Sequence, residues 1–130
     1  MKRTISSILI CVLLCASSVA LASCGSPNND AAKAEKHLKE AGYVVVSIPG
    51  GGKVGIDRSL TATKYDEESE ESDWVQIFYI TDSVDGVYDY VYGLFMEEKE
   101  EEENKDKDIQ FGKSEGVIWF GTPDAIKAAS

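Results

Sequence analysis

The stretch WVQIFYIT, residues 74–81, constrains this chain most. Aromatic and β-branched side chains dominate it, and they fit the pleated surface of a strand better than a helix. Alternation puts Trp74, Gln76, Phe78 and Ile80 on one face and Val75, Ile77 and Tyr79 on the other. A chain that carries such a strand has to build a sheet around it.

The preceding residues supply neighbours for that strand. YVVVSI at 43–48 reads as a strand ended by Pro49 and a run of glycines, and SLTATKY at 59–65 alternates as a further strand. Residues 66–73, DEESEESD, read as a solvated acidic turn. Upstream, Asp30 suits an N-cap, and Ala31, Ala34, Leu38 and Ala41 recur at helical spacing. Gly42 is placed to end the helix as its C′ residue, which predicts a helix over 31–41.

The segment after the central strand carries conflicting signals. Val84, Tyr88, Val91 and Phe95 fit a helix capped at Asp82 or Ser83. Against it stand Gly86 and Gly93, each worth ~1 kcal/mol relative to Ala in a helix interior. The Asp85-Gly86 pair and the alternating Tyr88, Tyr90 and Tyr92 favour a hairpin. The helix-favouring residues from Met96 to Glu103 decide for a helix over 83–103. Strands at 109–113 and 117–121 then flank Ser114-Glu115-Gly116. Thr122 caps a final helix over 123–129, with Pro123 in its first position and Asp124 in its first turn. The order α-β-β-β-α-β-β-α predicts an α+β fold: an antiparallel sheet of four or five strands with helices packed on one face.

The N-terminus has a different character. Met1-Lys2-Arg3 is followed by an uncharged, largely apolar run over 5–21, the pattern of a secretory leader. Serines and alanines dilute the run, which makes it marginal for a membrane-spanning helix. Leu21-Ala22-Ser23-Cys24 resembles the lipobox of bacterial lipoproteins. The resemblance implies cleavage between Ser23 and Cys24, and a diacylglyceryl group on the Cys24 sulfur. The chain then divides into a signal peptide, 1–23, a lipidated tether, 24–30, and a single α+β domain, 31–130. Cys11 and Cys15 would leave with the leader, so the exported part would hold no thiol for a disulfide and would fold on its core alone. The element pattern is also similar to small lipoproteins of Gram-positive gut-type bacteria. The shared features are a helix ending in Gly42-Tyr43, an acidic helix, and a closing strand followed by Gly121-Thr122 and a helix. That likeness implies a fold and a place outside the cytoplasm, anchored to the cell membrane by lipid.

The net charge of −10 excludes some partners, and loss of Lys2 and Arg3 with the leader makes it more negative. Nucleic acid is not expected as a partner, because phosphate binding needs Lys and Arg. Anionic lipid head groups repel such a domain, so contact with the membrane is expected only through the lipid on Cys24.

No set of residues points to catalysis, a metal or a cofactor. His37 lies three residues from Glu40, which a surface helix pair explains as well as an acid–base role does. Pro49-Gly50-Gly51-Gly52-Lys53-Val54-Gly55 lacks the Ser or Thr that a phosphate loop places after its lysine, and strand-like sequence follows. It reads as a turn. The acidic tracts 66–73 and 97–103 lack the spaced ligands of a calcium loop and read as solvated faces. Trp74, Tyr90 and Tyr92 are the candidate binding surface, since partly exposed aromatics offer contact area and a polar tip. Tyr88 is assigned to the core face of its helix, with Tyr90 and Tyr92 projecting elsewhere. The expectation is a non-catalytic, membrane-tethered module that binds a protein of the cell envelope. The alternatives are a small hydrolase using paired carboxylates and a weak cation-binding accessory protein.

Overall fold

The computed structural model describes residues 25–50, 55–81 and 85–130. The leader, Ser23 and Cys24, residues 51–54 of the glycine-lysine turn, and the cap residues Asp82 and Ser83 lie outside the described residues.

The central strand organises the rest. β3 (Glu71–Ile80) pairs on one side with β2 (Ile56–Asp66), which pairs with β1 (Val44–Pro49). On its other side β3 pairs with β5 (Val117–Gly121), which pairs with β4 (Gln110–Ser114). The result is one antiparallel sheet of five strands in the order β1-β2-β3-β5-β4. The helices are α1 (Ala31–Glu40), α2 (Asp85–Lys99) and α3 (Pro123–Ala128), so the order of elements is the one read from the sequence.

The expectation that the helices share one face is corrected. Ala34 and Leu38 of α1 and Ala125 and Ile126 of α3 pack with Leu60, Ala62, Val75, Ile77, Tyr79 and Trp119. Val87, Val91 and Phe95 of α2 pack with Phe78, Ile118 and Phe120 on the opposite face. The reason is topological. β3 and β4 run parallel with β5 between them, so the link from one to the other must cross a face of the sheet. α2 is that crossover. Both faces of β3 are therefore covered, and its two alternating apolar sets are both buried or half-buried.

Element ends differ from the sequence reading for local reasons. The acidic turn contracts to residues 67–70, because pairing continues through Tyr65↔Ser72 and Asp66↔Glu71. Asp66 Oδ1 accepts the Glu68 N–H, and Glu70 takes the left-handed conformation at φ 59°. α2 stops at Lys99 instead of Glu103. Carboxylates crowded at a helix C-terminus oppose the macrodipole and repel each other at i,i+3 and i,i+4. A 3₁₀ turn, Glu102–Asn104, follows, and the Glu98 carbonyl accepts from the Glu101 N–H at 3.1 Å and from the Asn104 side-chain amide at 2.8 Å. Thr122 stands at the N-cap of α3, but its hydroxyl serves the sheet. It accepts from the Trp74 N–H at 3.0 Å and donates to the Trp74 carbonyl at 3.3 Å.

Part of the segment 25–30 is held against the domain. Pro27 is buried, the Asn28 N–H donates to the Ala129 carbonyl at 2.8 Å, and the Tyr79 hydroxyl donates to the Asn28 carbonyl at 2.8 Å. Burial, then the Asp30 carboxylate, raise the Tyr79 phenol well above its ordinary value. A raised phenol stabilises the fold fully below about pH 10, and that stability is lost as pH rises past the unfolded value. Tyr79→Phe is expected to lose ~1 kcal/mol at neutral pH, the worth of one such bond. It should also flatten the alkaline fall in stability. Urea unfolding between pH 7 and pH 11 checks both.

Candidate functional site

α2 is a single helix laid over the β3-β5-β4 half of its face; Ile56 of β2 joins that core, and among the described residues the β1 side of the face is left exposed. Register shows what lies there: Val44↔Thr63, Val46↔Thr61 and Ile48↔Ser59 on β1 and β2, continuing to Trp74, Gln76 and Phe78 on β3. Val44 is 72 % exposed, Val46 50 % and Ile48 48 %. The alternate residue, Val45, packs inward against the α1 side. Among the described residues β1 is an edge strand, so its outer backbone N–H and C=O groups also lack a strand partner there. VVVSIP carries no lysine and no inward-pointing charge, and Pro49 at its end is the one protection of the edge in its sequence.

Where the exposed side meets the end of α2, a pocket of about 250 Å³ is lined by Thr61, Thr63, Trp74, Gln76, Glu98 and Asn104, among others. The Trp74 indole stands edge-on to Phe120, with centroids 5.9 Å apart at 82°. Lys107 closes the far wall, its ammonium donating to the Ser72 carbonyl at 3.0 Å. Burial, followed by the Glu101 charge, raises the Glu98 carboxyl above its ordinary value. The Asn104 amide, 3.3 Å from Glu98 Oε1, partly offsets this. Asn104 Oδ1 is buried and has no partner among the described residues.

The three aromatic candidates do not form one patch. Trp74 lines the pocket just described. Tyr92 is 42 % exposed, yet it stacks on Tyr88 at 6.1 Å and meets Phe111 of β4 edge-on at 5.2 Å. Its role is to close α2 over the second edge strand. Tyr90 is half-buried against the α2-side core, about 200° around the helix from Tyr92. A chain of rings through Phe120 and Phe95 separates Trp74 from Tyr92. Tyr88 belongs with the core face as expected, and Lys113 sits 4.6 Å from its ring centroid.

The other candidates have local partners. His37 Nδ1 is 2.7 Å from the Ser130 carbonyl oxygen, joining α1 to the end of the chain. Gly50 has φ +78° and Gly55 φ +103°, and the strand β2 follows, as a turn requires. Among the described residues no three His, Cys, Asp or Glu side chains are grouped to hold a metal ion. Sequence reasoning missed Val44, Val46 and Ile48. Alternation in YVVVSI shows two faces, but nothing local says that one of them stays uncovered.

No family model matches the chain, and no curated protein or solved structure matches it either.

Proposed function

We propose that this chain is a lipid-anchored, extracytoplasmic binding module of the bacterial cell envelope, and that its working surface is the exposed β1 side of the sheet. The anchor is the lipid on Cys24, and the support for it is the leader with its Leu21-Ala22-Ser23-Cys24 motif. The observation that carries the binding role is the exposed stripe Val44, Val46 and Ile48 on an open edge strand. The occupant is an extended segment of another envelope protein, added to β1 as a sixth strand. Backbone pairing supplies affinity in this mode, and alternate side chains supply specificity. Its apolar residues cover Val44, Val46 and Ile48, and the pocket beside Trp74 takes a polar side chain from it. The acidic wall at Glu98 and Glu103 favours a basic residue at that position. A hydrolase using paired carboxylates gains no support, because the buried polar residues among those described are Asn104 and Thr122.

In-cell crosslinking of the tagged, lipidated chain tests this reading. One reproducible envelope protein should be captured, and Val46→Lys should reduce its yield about tenfold, the effect of ~1.4 kcal/mol. Val46 is half exposed, so the fold should survive the change, which a thermal melt verifies. Undiminished capture by Val46→Lys, or capture of a second copy of the chain alone, would overturn the strand-addition reading. Cys24→Ala should release the chain from the membrane fraction or leave it unprocessed. Unchanged processing and retention would remove the anchor.

A further inference from the structure

The opposite side of the sheet holds a larger opening, independent of the β1 surface. A cleft of about 860 Å³ lies between the end of α1, the β2–β3 hairpin and α3. Tyr43 forms its floor and is only 7 % exposed. The Tyr43 hydroxyl has no hydrogen-bond partner among the described residues, and it is not sealed from solvent. Asp73 and Asp124 both line the cleft and both act on that hydroxyl. Burial, then these two charges, push the phenol up to about 12. The Tyr43 ring is buried, while its hydroxyl opens into the cleft that Asp73 and Asp124 also line and makes no bond there among the described residues.

The charges of the cleft are unbalanced. Asp66, Glu67, Glu68, Asp73 and Asp124 face only Lys64 and Lys127. Lys64 stays at the α1 side of the cleft: its ammonium donates to the Ala41 carbonyl at 2.9 Å and sits 5.7 Å from the Tyr43 ring centroid. Among the described residues no ion pair within 4 Å joins a lysine of the cleft to one of its carboxylates. The carboxylates are spread around the mouth and not gathered at one point, as a metal ion demands. Their complement is a longer cation with its N–H groups spaced apart.

We propose that this cleft binds an organic cation, an ammonium or guanidinium group held between Asp73 and Asp124 with one N–H donated to the Tyr43 hydroxyl oxygen. The two carboxylates supply charge-assisted hydrogen bonds, and the tyrosines supply an apolar wall for the cation's stem. The cation belongs either to a free amine or to a basic side chain of a peptide. The cleft lies at the β3 end that carries Asp73, while Asn28, where the lipid tether meets the domain, is bonded at the end that carries Tyr79. At ~3.3 Å per residue these ends stand roughly 20 Å apart. The site is thus set well away from the point of attachment.

The test is an NMR titration of the full chain, in neutral detergent, with 1,4-diaminobutane and separately with the peptide acetyl-Gly-Arg-Gly-amide. Saturable shifts at the Tyr43, Asp73 and Asp124 amides are expected with at least one probe. Asp73→Asn and Asp124→Asn should each weaken binding about tenfold, the worth of one charge-assisted bond. Tyr43→Phe should weaken it about threefold. Because the hydroxyl bonds nothing in the protein, that variant should melt no lower than the parent. Saturation by the diamine alone identifies a free amine, and saturation by the peptide alone identifies a basic protein segment. No saturable shift with either probe overturns the proposal. So does binding that Glu67→Gln and Glu68→Gln weaken as much as Asp73→Asn does, since that is diffuse attraction to an acidic surface.

Discussion

Phe120→Ala is expected to destabilise the domain by about 3–5 kcal/mol, the range for emptying a buried aromatic site. Phe120 is fully buried, and its ring touches three others: Trp74 at 5.9 Å, Phe78 at 6.2 Å and Phe95 at 5.8 Å. These come from the sheet and from α2, so the ring joins the crossover helix to the strands beneath it. Total stability of a domain is typically ~5–15 kcal/mol, and the loss is a large share of that. Urea unfolding of the variant measures it. A loss under about 1 kcal/mol would mean that α2 does not close on β5 through this ring.

Gly121→Ala is expected to cost about 3 kcal/mol, at the upper end for an overpacked site. A Cβ at this position would strike the Trp74 carbonyl oxygen and come within 2.6 Å of Val75 Cα. Both obstacles are backbone, so no side-chain rotation relieves them. The strands cannot separate there either. The Thr122 N–H donates to the Trp74 carbonyl at 2.8 Å, and the Thr122 hydroxyl bonds the same residue twice more. Thermal melting and urea unfolding should both show the loss. A variant as stable as the parent would mean that β3 and β5 are farther apart at this end than Thr122 implies.

Much of the local structure is legible in the residues themselves. Asp30 accepts the Ala32 N–H at 3.0 Å as an N-cap should, and Gly42 adopts φ +93° as a C′ residue should. The glycines that argued against α2 proved tolerable because nothing lies within 4 Å of a Cβ at Gly86 or Gly93. Their cost is conformational entropy alone, and burial of Val87, Val91 and Phe95 exceeds it. The overlong estimate of α2 came from intrinsic propensity, which favours Glu in a helix but takes no account of its repulsion at the C-terminus.

By itself the sequence determined the element types and their order, because caps, turn residues and alternation act within a few residues of chain. It also contained the sign of coverage on both sides, in the two apolar faces of β3. The tertiary structure alone decided which helix took which face, because the parallel relation of β3 and β4 arises only once β5 lies between them. It alone left Val44, Val46 and Ile48 bare, since α2 is too narrow to span the whole sheet. It alone brought Asp124 and Asp73 into one cleft with Tyr43, from residues far apart in the chain. Local preference sets what each segment becomes, and long-range packing sets what each side chain meets.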